Sequence, residues 1–220
     1  MVFSSAVFLF LFLPIVFIAN FLLKAEYSNG LLLAASLIFY AWGEPYVVLL
    51  LIISIVINWG IGRIIGKSRG AKKKIALTVG VACDLGILGY YKYAGFLVSI
   101  LNGITKKEIF LVPKIALPIG ISFFTFQAIS YIVDVYRGET EASPQLVNTA
   151  LYISFFPQLI AGPIVKYKDI NKQIKERSIT WMKVALGFRR FIYGLAKKVL
   201  ISNILGLCVD KIYGYDVFLL

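Results

Sequence analysis

Four groups of side chains in this sequence have types and spacings that suit chemistry. Gln127, Tyr131 and Asp134 follow one another at steps of four and three. On a helix such steps share one face, so the three form a polar stripe on an otherwise apolar run. A stripe of this kind lines a water-filled passage or hydrogen-bonds to a neighbouring helix. Gln158, Gly162 and Pro163 lie together in a second apolar run, which their own types interrupt. Lys183, Arg190 and Lys197 recur every seven residues, flanked by Arg189 and Lys198. That shared face suits docking of an acidic donor or carrier, or contact with lipid headgroups. Asp84 and Lys92 stand eight residues apart in one run, about 80° apart around a helix and roughly 12 Å along it. They do not pair directly, so Asp84 needs another partner or an interface position. Lys92 sits within Tyr90-Tyr91-Lys92-Tyr93, a cluster typical of a membrane interface where the lysine snorkels outward.

Other chemistry is excluded by what the chain lacks. It contains no histidine, which removes the commonest general base, the Ser-His-Asp triad and imidazole metal sites. Its two cysteines, Cys83 and Cys208, both fall inside apolar runs. They read as small buried hydrophobes, with no metal spacing and no disulfide framework. No bound cofactor and no metal are expected.

The elements that must carry these residues belong in a membrane. Of 220 residues, 60% are hydrophobic and 15% charged, and the mean hydropathy is +0.84. A soluble domain is nearer half apolar and a quarter charged. The composition excludes a disordered chain, a basic nucleic-acid-binding domain and an ordinary soluble enzyme. It predicts an all-α integral membrane protein, with 1–220 as a single membrane domain. Apolar runs cover about 2–23, 29–43, 46–62, 75–101, 115–136, 146–165 and 184–209. The first lacks a charged n-region and a cleavage site, so it reads as a retained helix rather than a signal peptide. Gly43-Glu44-Pro45 separates the second run from the third. Joined, 29–62 would be a helix of roughly 51 Å, too long for a hydrocarbon core about 30 Å thick.

The net charge of +12 is concentrated. Residues 63–74 hold six bases and no acid, and residues 166–190 hold eight bases and two acids. The rest of the chain is neutral. Short basic loops face the cytoplasm, and each base near an anionic surface contributes roughly 1 kcal/mol. Membrane lipid is therefore an expected partner and nucleic acid is not. If the fourth, fifth and sixth runs all crossed, the two basic stretches would face opposite sides. One run must fall short. The sixth carries Asn148, Pro157, Gln158, Gly162 and Pro163. Non-helical backbone survives at membrane depth only when buried in protein or lining water. The sixth run is thus expected to be a broken or re-entrant segment at the centre of the fold. The alternative is a kinked full crossing with an imperfect charge rule. No internal repeat of the kind found in inverted-repeat transporters stands out.

Six segments, in order, resemble one family. They are MVFSSAVFLFLFLP at the start, FYAWGEP at 39–45, LGILGYYKYAGF at 85–96, LPIGISFFTFQAISYIVDVYRG at 117–138, FFPQLIAGPIVKY at 155–167 and FRRFIYGLAKKVLISN at 188–203. Together they are similar to the membrane-bound O-acyltransferases, in their bacterial alginate O-acetylation branch. The resemblance implies a multi-helix bundle in the bacterial cytoplasmic membrane, crossed several times. It implies transfer of an acyl group, most simply acetyl, from a cytoplasmic donor of acyl-carrier or acyl-CoA type. The acceptor would be a hydroxyl of an exported polysaccharide such as alginate, and O-acetylation partner proteins are implied. Gln127, Tyr131, Asp134, Gln158, Gly162 and Pro163 lie on the matching motifs, as tunnel-lining or structural positions rather than catalysts. Two departures stand out. Asp84 takes the place where the family pattern suggests Asn, before Leu85-Gly86. The family's essential histidine, which acts as base on the acceptor hydroxyl, belongs to a later part that this sequence does not include. The chain is accordingly expected to be the N-terminal part of the fold, with the C-terminal half missing and no activity alone. A small transporter or flippase, and a non-catalytic membrane scaffold, are the competing readings.

Overall fold

The computed structural model describes residues 3–105, 111, 113, 115–159, 162–177 and 179–215. Among these the regular structure is entirely helical. The helices are α1 (Phe8–Leu22), α2 (Ala25–Gly43), α3 (Val47–Lys67), α4 (Ala71–Thr105) and α5 (Ile121–Arg137). They are followed by α6 (Leu146–Ser154), α7 (Phe156–Leu159), α8 (Tyr167–Lys175), α9 (Trp181–Ala196) and α10 (Asn203–Tyr215). Residues Phe8–Phe12 and Lys197–Ser202 are π turns, the second joining α9 to α10 without interruption. Val47–Lys67, Ala71–Thr105 and Trp181–Tyr213 are long and apolar enough to cross a membrane.

The chain divides into two compact units. The larger spans Ile18–Glu176 and carries the core. Here α3 and α4 pack on α5 through small residues that let the backbones approach. A Cβ on Gly62 would stand 2.6 Å from the Tyr131 hydroxyl, and one on Gly80 would stand 2.8 Å from the Ile132 Cδ1. Leu51, Ile55, Phe124, Ala128 and Ile132 fill the space between the helices. Asp84 is buried and accepts a hydrogen bond from Asn58 Nδ2 at 2.8 Å. It therefore finds its partner on α3, as its separation from Lys92 requires. Lys92 is exposed, with its ammonium 5.5 Å from the centre of the Tyr93 ring.

The ends of α5 are set by two glycines in the left-handed region. Gly120 (φ 77°) precedes the helix, which begins at Ile121 rather than Ile115. Pro118 cannot donate a backbone hydrogen bond, and its carbonyl accepts from Ile121 N instead,. Gly138 (φ 75°) ends the helix. Gly138 N donates to Val135 O, and Glu139 N to Asp134 O at 3.0 Å, closing a Schellman motif,. The fourth run is longer than its apolar part, since α4 spans 35 residues. From Lys74 to Lys92 it rises about 27 Å, near the hydrocarbon thickness.

The sixth apolar run is broken. α6 stops at Ser154, Phe155 leaves helical geometry (ψ 113°), and α7 lasts four residues. Both ends of this segment meet α5 at the same level. Ser143 N, just before it, donates to the Tyr131 hydroxyl at 3.2 Å. Tyr167, just after it, packs edge-on against the Tyr131 ring at 4.8 Å. Between them the chain reaches Leu159, whose carbonyl would lie 2.6 Å from a Cβ on Gly120. Gly120 and Tyr131 are eleven residues apart, about 16 Å along the helix. The segment thus reaches about 16 Å along α5 and returns to the level of Tyr131,.

The smaller unit comprises Met1–Phe17 and Arg177–Leu220. Phe17 and Phe188 meet edge-on at 5.4 Å. Thr180 caps α9, its hydroxyl accepting from Lys183 N at 3.3 Å. No residue of α9 is buried. The cysteine expectation is corrected here: Cys83 and Cys208 are both exposed. Each lies on a helix surface that the described residues leave exposed, so an apolar sequence context did not mean burial among them.

Candidate functional site

The polar stripe of α5 faces the returning segment. Gln127, Tyr131 and Asp134 are all buried, and each meets a different part of it. Asp134 Oδ2 accepts from Lys168 N at 3.1 Å. Lys168 is in the first turn of α8, whose own N-cap residue, Lys166, offers no side-chain bond. A carboxylate on another helix thereby satisfies one of the open donors of α8 and opposes its dipole. Tyr131 holds the entry to the segment through Ser143 N. Gln127 reaches Gln158 with its Nε2 3.4 Å from Gln158 Oε1, the longest of the three contacts.

Around this stripe stands a group that sequence spacing did not single out. Tyr131, Tyr152 and Tyr167 are fully buried, with Tyr167 edge-on to both others at 4.8 and 5.0 Å. Tyr152 donates to Val165 O at 2.7 Å, tying the inward limb to the outward one. Asn29 Nδ2 on α2 donates to Asn148 Oδ1 (2.9 Å) and to Ile174 O (3.0 Å). Phe156 N, freed by the break, donates to Ser36 Oγ at 3.2 Å. Phe156 N and Val165 O, backbone groups on either side of the break, are therefore paired by side chains, as an apolar surrounding demands. Tyr167 closes the motif FFPQLIAGPIVKY, which is the signal by which it was findable.

The six stripe and broken-segment candidates do not converge on one point. Gln127 and Gln158 meet, whereas Tyr131 and Asp134 lie progressively further along α5. Gly162 and Pro163 are exposed on the outward limb, and Gly162 has φ 115°, a region that glycine alone enters readily,. At Gln127 the side-chain Oε1 is buried and accepts no hydrogen bond from the described residues. A buried acceptor without a donor points to a small polar guest or water beside it.

Lys183 and Arg190 lie on α9, and Lys197 opens the π turn that follows. All three are exposed. Up to Lys197 the helix keeps its α register, so the seven-residue spacing places them on one face. Arg189 lies over the Tyr193 ring at 5.7 Å.

At the end of the larger unit where the returning segment emerges, Lys168 Nζ pairs with Glu139 at 2.8 Å. The lysine hydrogen bond and charge hold the Glu139 carboxyl below its ordinary pKa, and the same bond holds Lys168 above its own. Asn171 Nδ2 adds a bond to Thr140 Oγ1 at 2.8 Å. Among the described residues no cluster of three His, Cys, Asp or Glu side chains is placed to hold a metal.

Residues 124–219 match the membrane-bound O-acyltransferase family. A probable alginate O-acetylase AlgI of Azotobacter vinelandii is 46% identical over 97% of this chain and 44% of its own length. The probable alginate O-acetylase AlgI of Pseudomonas aeruginosa is also 46% identical, over 97% of the chain and 42% of its own length. A peptidoglycan O-acetyltransferase of Helicobacter pylori is 34% identical, over 98% and 47% respectively. The chain spans less than half the length of these relatives. No solved structure matches.

Proposed function

We propose, from the premise that this chain belongs to the membrane-bound O-acyltransferase family, that it builds the donor-side half of an O-acetylation tunnel in the bacterial cytoplasmic membrane. The basic ends of α3, α4 and α8 face the cytoplasm, and the bundle crosses the membrane several times. An acyl-carrier or acyl-CoA type donor approaches from that side, and the acceptor is a hydroxyl of an exported polysaccharide such as alginate. The acceptor oxygen bonds to the acyl carbon, the carbon–sulfur bond of a thioester donor breaks, and the hydroxyl proton ends on the released thiol.

The observation that carries this reading is the paired Gln127 and Gln158 at the turn-back of the re-entrant segment, with a buried amide oxygen left to accept from a guest. Gln127 and Gln158 line the passage. Tyr131 and Asp134 fix the segment that forms its wall, and Gly162 and Pro163 shape the outward limb. The face of Lys183, Arg190 and Lys197 receives the acidic donor, its carrier or the headgroups around it. These 220 residues contain no histidine, so the histidine base that the family resemblance implies is not among them. Partner proteins of polysaccharide O-acetylation complete the system.

Acetyl transfer to alginate oligomers is the test, in membranes carrying a protein that includes these residues. Gln158→Leu should cut the acetylation rate at least tenfold with membrane abundance preserved. Full activity in Gln158→Leu would sink the tunnel assignment. Robust transfer by the 220 residues alone would sink the placement of the base elsewhere, and substrate flux without acylation would favour a transporter.

A further inference from the structure

A cleft of about 650 Å³ opens in the larger unit where α3 ends, α4 begins and the turn at 138–144 crosses them. Arg63, Lys67 and Lys73 line it, with Glu139 and Glu141. Arg63 and Lys67 stand one turn apart on α3, and Gly70 (φ 59°) reverses the chain so that Lys73 faces them. Arg63 and Lys73 are half-buried, each against an aromatic ring. The Arg63 guanidinium lies 5.1 Å from the Trp59 ring centre, and the Lys73 ammonium 5.2 Å from that of Tyr136. Trp59 is itself fixed, donating Nε1–H to Ser143 O at 3.2 Å. None of the three cations forms an ion pair among the described residues. Glu139 does not serve them, because Lys168 holds it at 2.8 Å.

We propose that this cleft binds a phosphate group, presented by the headgroup of an anionic membrane lipid. Three cations converge on one space, and among the described residues Glu141 is the one lining carboxylate outside the Lys168 pair. Charges withdrawn partly from water need a counter-charge. Phosphate suits the arginine fork and the two lysine point charges, and the volume is that of a small-ligand site. Both helices that supply the cations, α3 and α4, have the length and apolarity of membrane spans. The cleft sits at their shared basic end, and Trp59 and Tyr136 back two of its cations, as aromatic residues are placed at headgroup depth. A lipid phosphate is delivered there by the bilayer itself. A soluble phosphate offers the same oxygens but not that location. This site is separate from acyl transfer and stands or falls without it.

The test uses the chain in phosphatidylcholine nanodiscs doped with phosphatidylglycerol, with retained lipid counted by native mass spectrometry. Wild-type protein should retain phosphatidylglycerol in preference to phosphatidylcholine. Arg63→Gln with Lys73→Gln should lower that preference roughly 25-fold, and Lys92→Gln should leave it intact. Because Arg63 and Lys73 also pack on rings, exposed Lys67→Gln supplies a variant that spares the packing, with a loss of about fivefold. Helix content by circular dichroism checks each variant. Unchanged preference in folded variants, or an equal loss in Lys92→Gln, overturns the site. Millimolar pyrophosphate should fail to displace the lipid, and displacement would overturn the lipid source in favour of a soluble phosphate.

Discussion

The carboxylate of Asp134, on α5, accepts the backbone N–H of Lys168, in the first turn of α8, at 3.1 Å. The bond joins a buried side chain to a helix that begins where the broken segment leaves the bundle. It replaces the missing local cap of α8 and fixes where the outward limb ends. Asp134→Ala should therefore lower stability by about 1–2 kcal/mol. Asp134→Asn, which keeps an acceptor oxygen, should cost less. Thermal unfolding in mild detergent measures both, and an alanine variant as stable as wild type would refute the capping role.

Tight approach makes a second prediction. Gly62 is a helical position where any side chain meets the fixed ring of Tyr131, and a Cβ there would stand 2.5 Å from Cε1. Tyr131 cannot yield easily, since it packs on Tyr167 and holds Ser143 N. Gly62→Ala should cost about 1–3 kcal/mol through overpacking. Gly60→Ala, with open space at its Cβ, should be neutral or slightly stabilising through helix propensity. Equal stabilities of the two variants would show that α3 shifts to accommodate the methyl group.

The Glu139–Lys168 pair sets a pH dependence. Glu139 titrates below its ordinary value in the fold, so its contribution is present above that value and is lost as pH falls through the lowered one. Lys168 titrates above its ordinary value, so its contribution is present below that value and is lost as pH rises through the raised one. Both groups are solvent-facing, so the effect is small and weakens with salt. Glu139→Gln should flatten the acid limb of the stability–pH curve at low ionic strength and leave the neutral region nearly unchanged. A curve that keeps the wild-type acid slope would exclude the pair as its source.

Much of this architecture was legible in the sequence because it rests on local rules. Apolar length marked the long helices, Gly-Glu-Pro marked the α2–α3 break, and misplaced prolines and amides marked the run that breaks at Phe155. The stripe Gln127–Tyr131–Asp134 was legible as a shared face, but not its use. Only the fold shows three different partners for it, two of them backbone N–H groups that no side-chain pattern encodes. Tyr152 and Tyr167 were hidden for a related reason. They are separated by the break, and their packing on Tyr131 depends on the chain doubling back. Cys83 and Cys208 misled because an apolar neighbourhood has two meanings in a membrane protein, protein core or lipid-facing surface. Sequence periodicity does not separate them when every face of the helix is apolar.

The doubling back itself yields the sharpest prediction. In a re-entrant reading, Arg69 at the α3–α4 turn and Lys172 on α8 share one side of the membrane, and Tyr46 at the start of α3 lies on the other. All three are exposed. In a full crossing of 146–165, Lys172 would change sides and join Tyr46. Exposed Cys83 and Cys208 must first be replaced by alanine to give a silent background. Single cysteines at 46, 69 and 172 are then probed in sealed inverted vesicles with an impermeant maleimide. Positions 69 and 172 should label together and position 46 only after permeabilisation. Labelling of 172 with 46 would mean that the segment crosses, that the eight bases of 166–190 do not share a side with those of 63–74, and that the contacts of Tyr131 with Ser143 and Tyr167 do not persist in the bilayer. Arg69→Cys removes a base outside the phosphate cleft and Lys172→Cys one outside the Glu139 pair, so neither substitution disturbs the contacts on which the topology depends.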